Sequence, residues 1–245
     1  MGSDWTWTLT LPGGTLQVAT VERLLALTEA FGLSPERPDG RINGFDRSPG
    51  HEGEHRVLDR RELVQALATG TLSTNLWDRS EVDVFLSAGP DRAGVWDVVS
   101  LSLDSVYCRR IPDARAQPFR ELHRQLTDLW LALAGEVGAV FGRVEDEWSL
   151  EQILSELADP CPDAPPPPGS WPQWLSWSTY FDRDRYGLLP PLSAELGADV
   201  RRTPDGAAVI TLLTDPAAVD ELRFARVHHE YRRAVGSRPD QASGS

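Results

Sequence analysis

Residues 5–11 read W-T-W-T-L-T-L, with an apolar side chain at every odd position and a threonine at every even one. Successive side chains of a strand point to opposite faces, so this stretch buries one face and presents hydroxyls on the other. The turn Pro12-Gly13-Gly14 closes it, and a helical pattern follows with no second strand nearby. A lone strand is not stable, so its partners must come from farther along the chain. That argues for one compact α+β unit spanning residues 1–245. Its candidate internal boundaries are a point near residue 80 and the proline-rich connector at 160–170.

The remaining elements follow from spacing and capping. Val21, Leu24, Leu25 and Leu27 recur at helical intervals, with Gly32 as the stop. Residues 34–57 are rich in Pro, Gly, Asp and Arg and read as loop. Asp59 and Glu62 form a capping box ahead of Leu63, Val64 and Leu67, and Gly70 ends that helix. Segments 81–89 and 95–108 form a hairpin across a Pro-Asp-Arg-Ala-Gly loop. Pro118 starts the longest helix, carried by Phe119, Leu122, Leu126, Leu129, Trp130 and Leu133. A short strand at 139–144 precedes a second capping box at Ser149–Gln152, whose helix ends before Pro160. WPQWLSWSTYF (171–181) reads as a strand with rings on both faces. Segments 198–203 and 207–213 pair through Pro204-Asp205-Gly206. Asp215 caps a final helix with Pro216 in its first position, and 236–245 is a flexible tail. The order predicts a mixed, mostly antiparallel sheet with flanking helices.

HEGEH (51–55) fits the H-E-x-x-H pattern, in which two histidines one helical turn apart hold zinc and the glutamate acts on a bound water. A metal-dependent hydrolase using His51, Glu52 and His55 is therefore one reading. The chemistry needs a helix, yet Pro49-Gly50 precedes the motif and Gly53 sits inside it, where glycine costs about 1 kcal/mol relative to alanine. The flanks RSPG and RVLD lack the residues that would bury such a helix. A third ligand is also required, and Glu81 or Asp83 is not singled out by spacing. A solvated polar loop is the expectation, with no metal and no cofactor. His123 borders an apolar helix face, and His228 and His229, being adjacent, point to different sides.

Net charge is −13, and all 24 basic residues are arginine. That balance opposes nucleic-acid binding, which needs a positive surface, and it suits a basic protein partner. No apolar run is long enough to cross a membrane, and the first residues lack a basic n-region followed by an apolar segment. Cys108 and Cys161 form no C-x-x-C. A cytoplasmic chain is expected. No dinucleotide, phosphate-loop or nucleophile-elbow motif is present, so the expectation is a binder and not an enzyme. Nine tryptophans are conspicuous. Trp171, Trp174 and Trp177 are candidates for a partner surface, although core packing is the commoner fate of such rings. The acidic stretches Glu145-Asp146-Glu147 and Asp182 with Asp184 are further partner-binding candidates.

From WLSWSTYFDRDRYGLLPP to the end, the chain resembles the immunity protein 52 family and related type VI secretion immunity proteins. The residues that carry the likeness are Trp177, Tyr180, Pro190, Gly206, Val209, Ile210 and Pro216. It extends over about 160 residues, from roughly position 81 onward. The resemblance implies a toxin-neutralising protein that blocks a cognate toxin by direct binding, without chemistry of its own, and it supplies no catalytic residues. The runner-up is a structural or adaptor subunit of a bacterial secretion, injection or defence assembly. The oligomeric state is left open.

Overall fold

A computed structural model describes residues 4–78, 82–91, 93–104, 116–156, 164–192, 196–219 and 221–236. Glu81, Cys108, Cys161, the far end of the 95–108 strand, the start of the proline-rich connector and nearly all of the 236–245 tail lie outside these. Among the described residues ten strands form: β1 (Trp5–Pro12), β2 (Ile42–Asp46), β3 (His55–Leu58), β4 (Leu72–Trp77), β5 (Asp83–Pro90), β6 (Trp96–Leu103), β7 (Phe141–Asp146), β8 (Ser178–Phe181), β9 (Asp199–Arg202) and β10 (Ala208–Thr211). They make one sheet in the order β3-β2-β4-β5-β6-β1-β7-β8-β10-β9, and every strand pairing in it is antiparallel. The fold is α+β.

The alternating first strand becomes the centre of the sheet. β1 pairs with β6 on one side and with β7 on the other. Its odd residues, Trp5, Trp7, Leu9 and Leu11, are buried. They share a face with Leu101 and Leu86, which continue the row of Trp7 across β6 and β5. Helices α1 (Val18–Ala30), α2 (Arg60–Thr69) and α3 (Gln117–Val137) supply the opposing side chains: Leu24 and Leu25, Leu63 and Leu67, Leu126 and Trp130 all join one buried cluster. Two indoles tie α3 to β1. Trp7 Nε1 donates to Thr127 Oγ1 at 3.0 Å, and Trp130 Nε1 donates to the Thr8 carbonyl at 3.0 Å.

Among the described residues, a second apolar cluster covers the other face at the β7, β8 and β10 end. Phe141, Phe181 and Ile210 pack there with Leu175, Leu196 and Tyr231 as a separate cluster. Tyr231 belongs to α6 (Glu221–Gly236), and its hydroxyl donates to the Pro172 carbonyl at 2.6 Å.

Several local expectations are corrected. The 34–57 loop contains β2 and β3, whose pairing depends on β4, about thirty residues later. β4 itself, LSTNLW, carries too few apolar residues for its alternation to stand out, although Leu72, Ser73, Thr74 and Leu76 are buried. Helix α4 (Glu147–Glu156) starts ahead of Ser149, so Ser149 lies inside the helix and its hydroxyl donates back to Asp146. The final helix is split: Asp215 accepts from the Ala217 amide to cap a 3-10 turn at Pro216–Ala218, and α6 begins after it. The capping box at Asp59 and Glu62 is formed as read.

Candidate partner-binding face

Of the 171–181 segment only Ser178–Phe181 is strand. Pro172 has no N–H for a ladder, and the residues after it bond to β7 side chains. Trp174 Nε1 and Ser176 Oγ both donate to Glu145 Oε1, at 2.8 and 2.7 Å. Trp177 Nε1 and Ser149 Oγ both donate to Asp146 Oδ1, the first at 2.5 Å. The Arg143 guanidinium lies 3.9 Å from the centre of the Trp174 ring and 4.8 Å from that of Phe141. All five of these β7 and tryptophan residues, Arg143, Glu145, Asp146, Trp174 and Trp177, are buried. The structure thus brings together two of the three tryptophans and two of the acidic candidates, but in the interior. They are not an exposed patch. Sequence showed the residue types without their pairing, because β7 lies about thirty residues before the segment it holds.

The remaining candidates scatter. Trp171 is half-buried, edge-on to Phe181 with ring centres 6.0 Å apart. Asp182 does not share a strand face with Asp184. It caps α5 (Arg183–Leu188) by accepting from the Arg185 amide at 2.7 Å, and Asp184 is exposed in that helix's first turn. Glu147 is exposed at the start of α4. His51 and Glu52 lie in a turn and His55 opens β3, with no helix. His51 Nδ1 meets Glu54 Oε1 at 3.0 Å, Glu52 accepts from the Gly50 amide, and His55 Nε2 meets Asn43 Oδ1 at 3.0 Å. The two histidines are committed to different neighbours. Among the described residues no group of three or more His, Cys, Asp or Glu side chains is placed to hold a metal ion. The helix that the H-E-x-x-H chemistry requires is not formed at this stretch.

A different surface emerges from the register. Thr8, Ser100, Ser87 and Ser73 stand side by side on β1, β6, β5 and β4, and Phe45 and His55 extend the row across β2 and β3. This is the face opposite α1 to α3. Thr6, Thr8, Ser87, Ser100 and Ser102 are half-buried on it, and Phe85 is 38% exposed. Phe45 and Phe85 touch, with ring centres 5.7 Å apart. Arg47 and Asp91 rim a shallow concavity of about 240 Å³ at one end of this face. The threonines of the first strand were the visible signal for it.

The other end is acidic. The β1–β7 register puts Asp4 opposite Glu147, one step past Trp5 and Asp146, and the Glu147 amide donates to the Asp4 carbonyl at 2.8 Å. Continuing the β1–β6 and β5–β6 registers by one or two steps puts Asp104 beside Asp4 and Asp83 beside Asp104. By alternation Asp4, Asp83 and Asp104 fall on the hydroxyl side, and Glu147 opens α4 beside them.

No protein-family model matches the chain, and no curated protein does. Among solved structures it resembles the Pseudomonas aeruginosa T6SS protein PA0821, with a TM-score of 0.51 and 13% identity over 95% of this chain and 74% of that one. At that identity the likeness is one of fold. Among the described residues no helix is long and apolar enough to cross a membrane.

Proposed function

We propose that this protein is an immunity-type protein that neutralises a cognate toxin by direct binding, without catalysis, in the cytoplasm. The observation that carries the reading is the hydroxyl side of β1 to β6, where among the described residues Thr6, Thr8, Ser87, Ser100 and Ser102 are half-buried and Phe85 is exposed. A polar face carrying an aromatic pair, with Phe85 exposed and Phe45 half-buried, suits contact with another surface. The likeness in fold to a T6SS protein supports a setting related to a secretion system. The net charge of −13 favours a basic toxin, since complementary fields speed encounter.

The test is native co-purification of the chain, tagged at its C-terminus, from its own host at low and high salt. We expect one small basic protein at equal stoichiometry. It should arrest growth when expressed alone, and co-expression of this chain should relieve the arrest. Recovery of several large proteins, with no growth relief, would instead make this chain an adaptor in a secretion assembly.

A further inference from the structure

The geometry points to a small-molecule site in the concavity at the Pro90 end of β5. It takes a zwitterion of amino-acid size, with the ligand's carboxylate on Arg47 and its ammonium on Asp91. The site goes beyond the binding of a partner protein and does not depend on it.

The floor is set by register. Thr8, Ser100 and Ser87 form one row across β1, β6 and β5, and all three line the concavity of about 240 Å³. Among the described residues no hydrogen bond engages their hydroxyls. A hydroxyl can donate once and accept twice, so this floor serves either end of a ligand.

The walls are set by what flanks the strands. Arg47 follows β2, and its Nη1 donates to the Ala88 carbonyl at 3.1 Å. That bond ties the guanidinium to the end of β5 and leaves the rest of its donor fork uncommitted. Asp91 follows β5 directly. Its Oδ1 accepts from the Val95 and Trp96 amides at 2.8 and 3.1 Å, which fixes the carboxylate in the hairpin loop with Oδ2 left over. Both side chains line the same concavity, yet among the described residues neither forms an ion pair, with the other or with any third side chain. The fold thus holds one cation and one anion apart over a polar floor.

Size and charge select the occupant. Pockets for drug-sized molecules run from about 300 Å³ upward, so this one suits something smaller. A simple anion would meet Asp91 and the field of a chain with net charge −13, and a simple cation would meet Arg47. A molecule with a carboxylate and an ammonium a few bonds apart makes a charge-assisted hydrogen bond to each wall and is neutral overall.

The experiment is an NMR titration of the full chain, labelled with nitrogen-15, with L-alanine as the probe. Sodium acetate and methylammonium chloride are the single-charge controls at matched ionic strength. The probe is taken to about 20 mM, enough to saturate a site with a Kd of about 1 mM. Saturable shifts are expected at the amides of Ser87, Gly89, Asp91 and Ser100, with each control binding at least tenfold more weakly. Arg47→Gln and Asp91→Asn should each raise the Kd for L-alanine at least tenfold. Asn keeps the oxygen that accepts from Val95 and Trp96, and each variant's spectrum and thermal melt are compared with the parent. No saturable shift at these amides would overturn the site. Acetate or methylammonium binding as tightly as L-alanine would overturn the zwitterion, since one charge would then suffice. Unchanged affinity in either folded variant would overturn the role given to that residue and, with it, the paired-charge design.

Discussion

His123 shows how far a residue's role depends on its surroundings. Its half-buried ring packs from α3 against Trp5, Trp7 and Phe119, with centre distances of 4.5, 5.1 and 6.0 Å. Burial pushes its pKa down from 6.5 to about 3, only partly opposed by Asp215. The folded chain therefore keeps it neutral where the unfolded chain binds a proton. Stability is lost as pH falls from 6.5 towards 3, by up to about 1.4 kcal/mol per pH unit. His123→Leu should keep stability at pH 7 within about 1 kcal/mol and flatten this acid limb. Urea titrations from pH 7 to 4 would check it, and an unchanged slope would mean another group sets it. Glu145 and Asp146 teach the same lesson. Each looks like a surface charge in EDE, yet each accepts two hydrogen bonds in the interior.

At the scale of elements, α3 and β7 meet through a missing side chain. Gly142 sits on β7 between Leu9 and Tyr180. A methyl group there would lie 2.8 Å from both Leu9 Cδ2 and Trp130 Cζ2, and 2.9 Å from the Thr8 carbonyl oxygen. Trp130 needs that space to reach the same carbonyl. Gly142→Ala should destabilise the protein by about 1–3 kcal/mol through overpacking. A shift in the denaturation midpoint at constant slope is the expected readout, and tryptophan fluorescence would report the displaced indole. The long helix was readable from its spacing because its apolar stripe is local. The role of Gly142 was not, since it depends on two elements separated in sequence.

For the whole molecule, protection should follow sheet position. β1 lies between β6 and β7 and under α3, whereas the edge strands β3 and β9 have almost wholly exposed side chains. Amide exchange is expected to be slowest in β1 and fastest in β3 and β9, with the first eighty residues no less protected as a group than the rest. Mass-spectrometric hydrogen exchange would decide this. Early exchange across β1 and β4 together would mean that the N-terminal part opens separately. The edges themselves are short and carry arginines, Arg56 on β3 and Arg201 and Arg202 on β9, which discourages pairing with other chains.

The W-T-W-T-L-T-L run by itself determined that the first strand buries one face and shows hydroxyls on the other. The hairpins at 83–103 and 199–211, the capping box at Asp59 and the stripe of α3 were likewise set locally. Each depends on alternation, helical spacing or a cap within a few residues. Tertiary structure decided which strands flank β1, that Trp174 and Trp177 turn inward to Glu145 and Asp146, and that hydroxyls of β1, β4, β5 and β6 fall into one row. Those facts depend on the register between strands as far apart as Trp5 and Asp146. Register is fixed by the packing of the whole sheet against its helices, and no short stretch of the chain contains it.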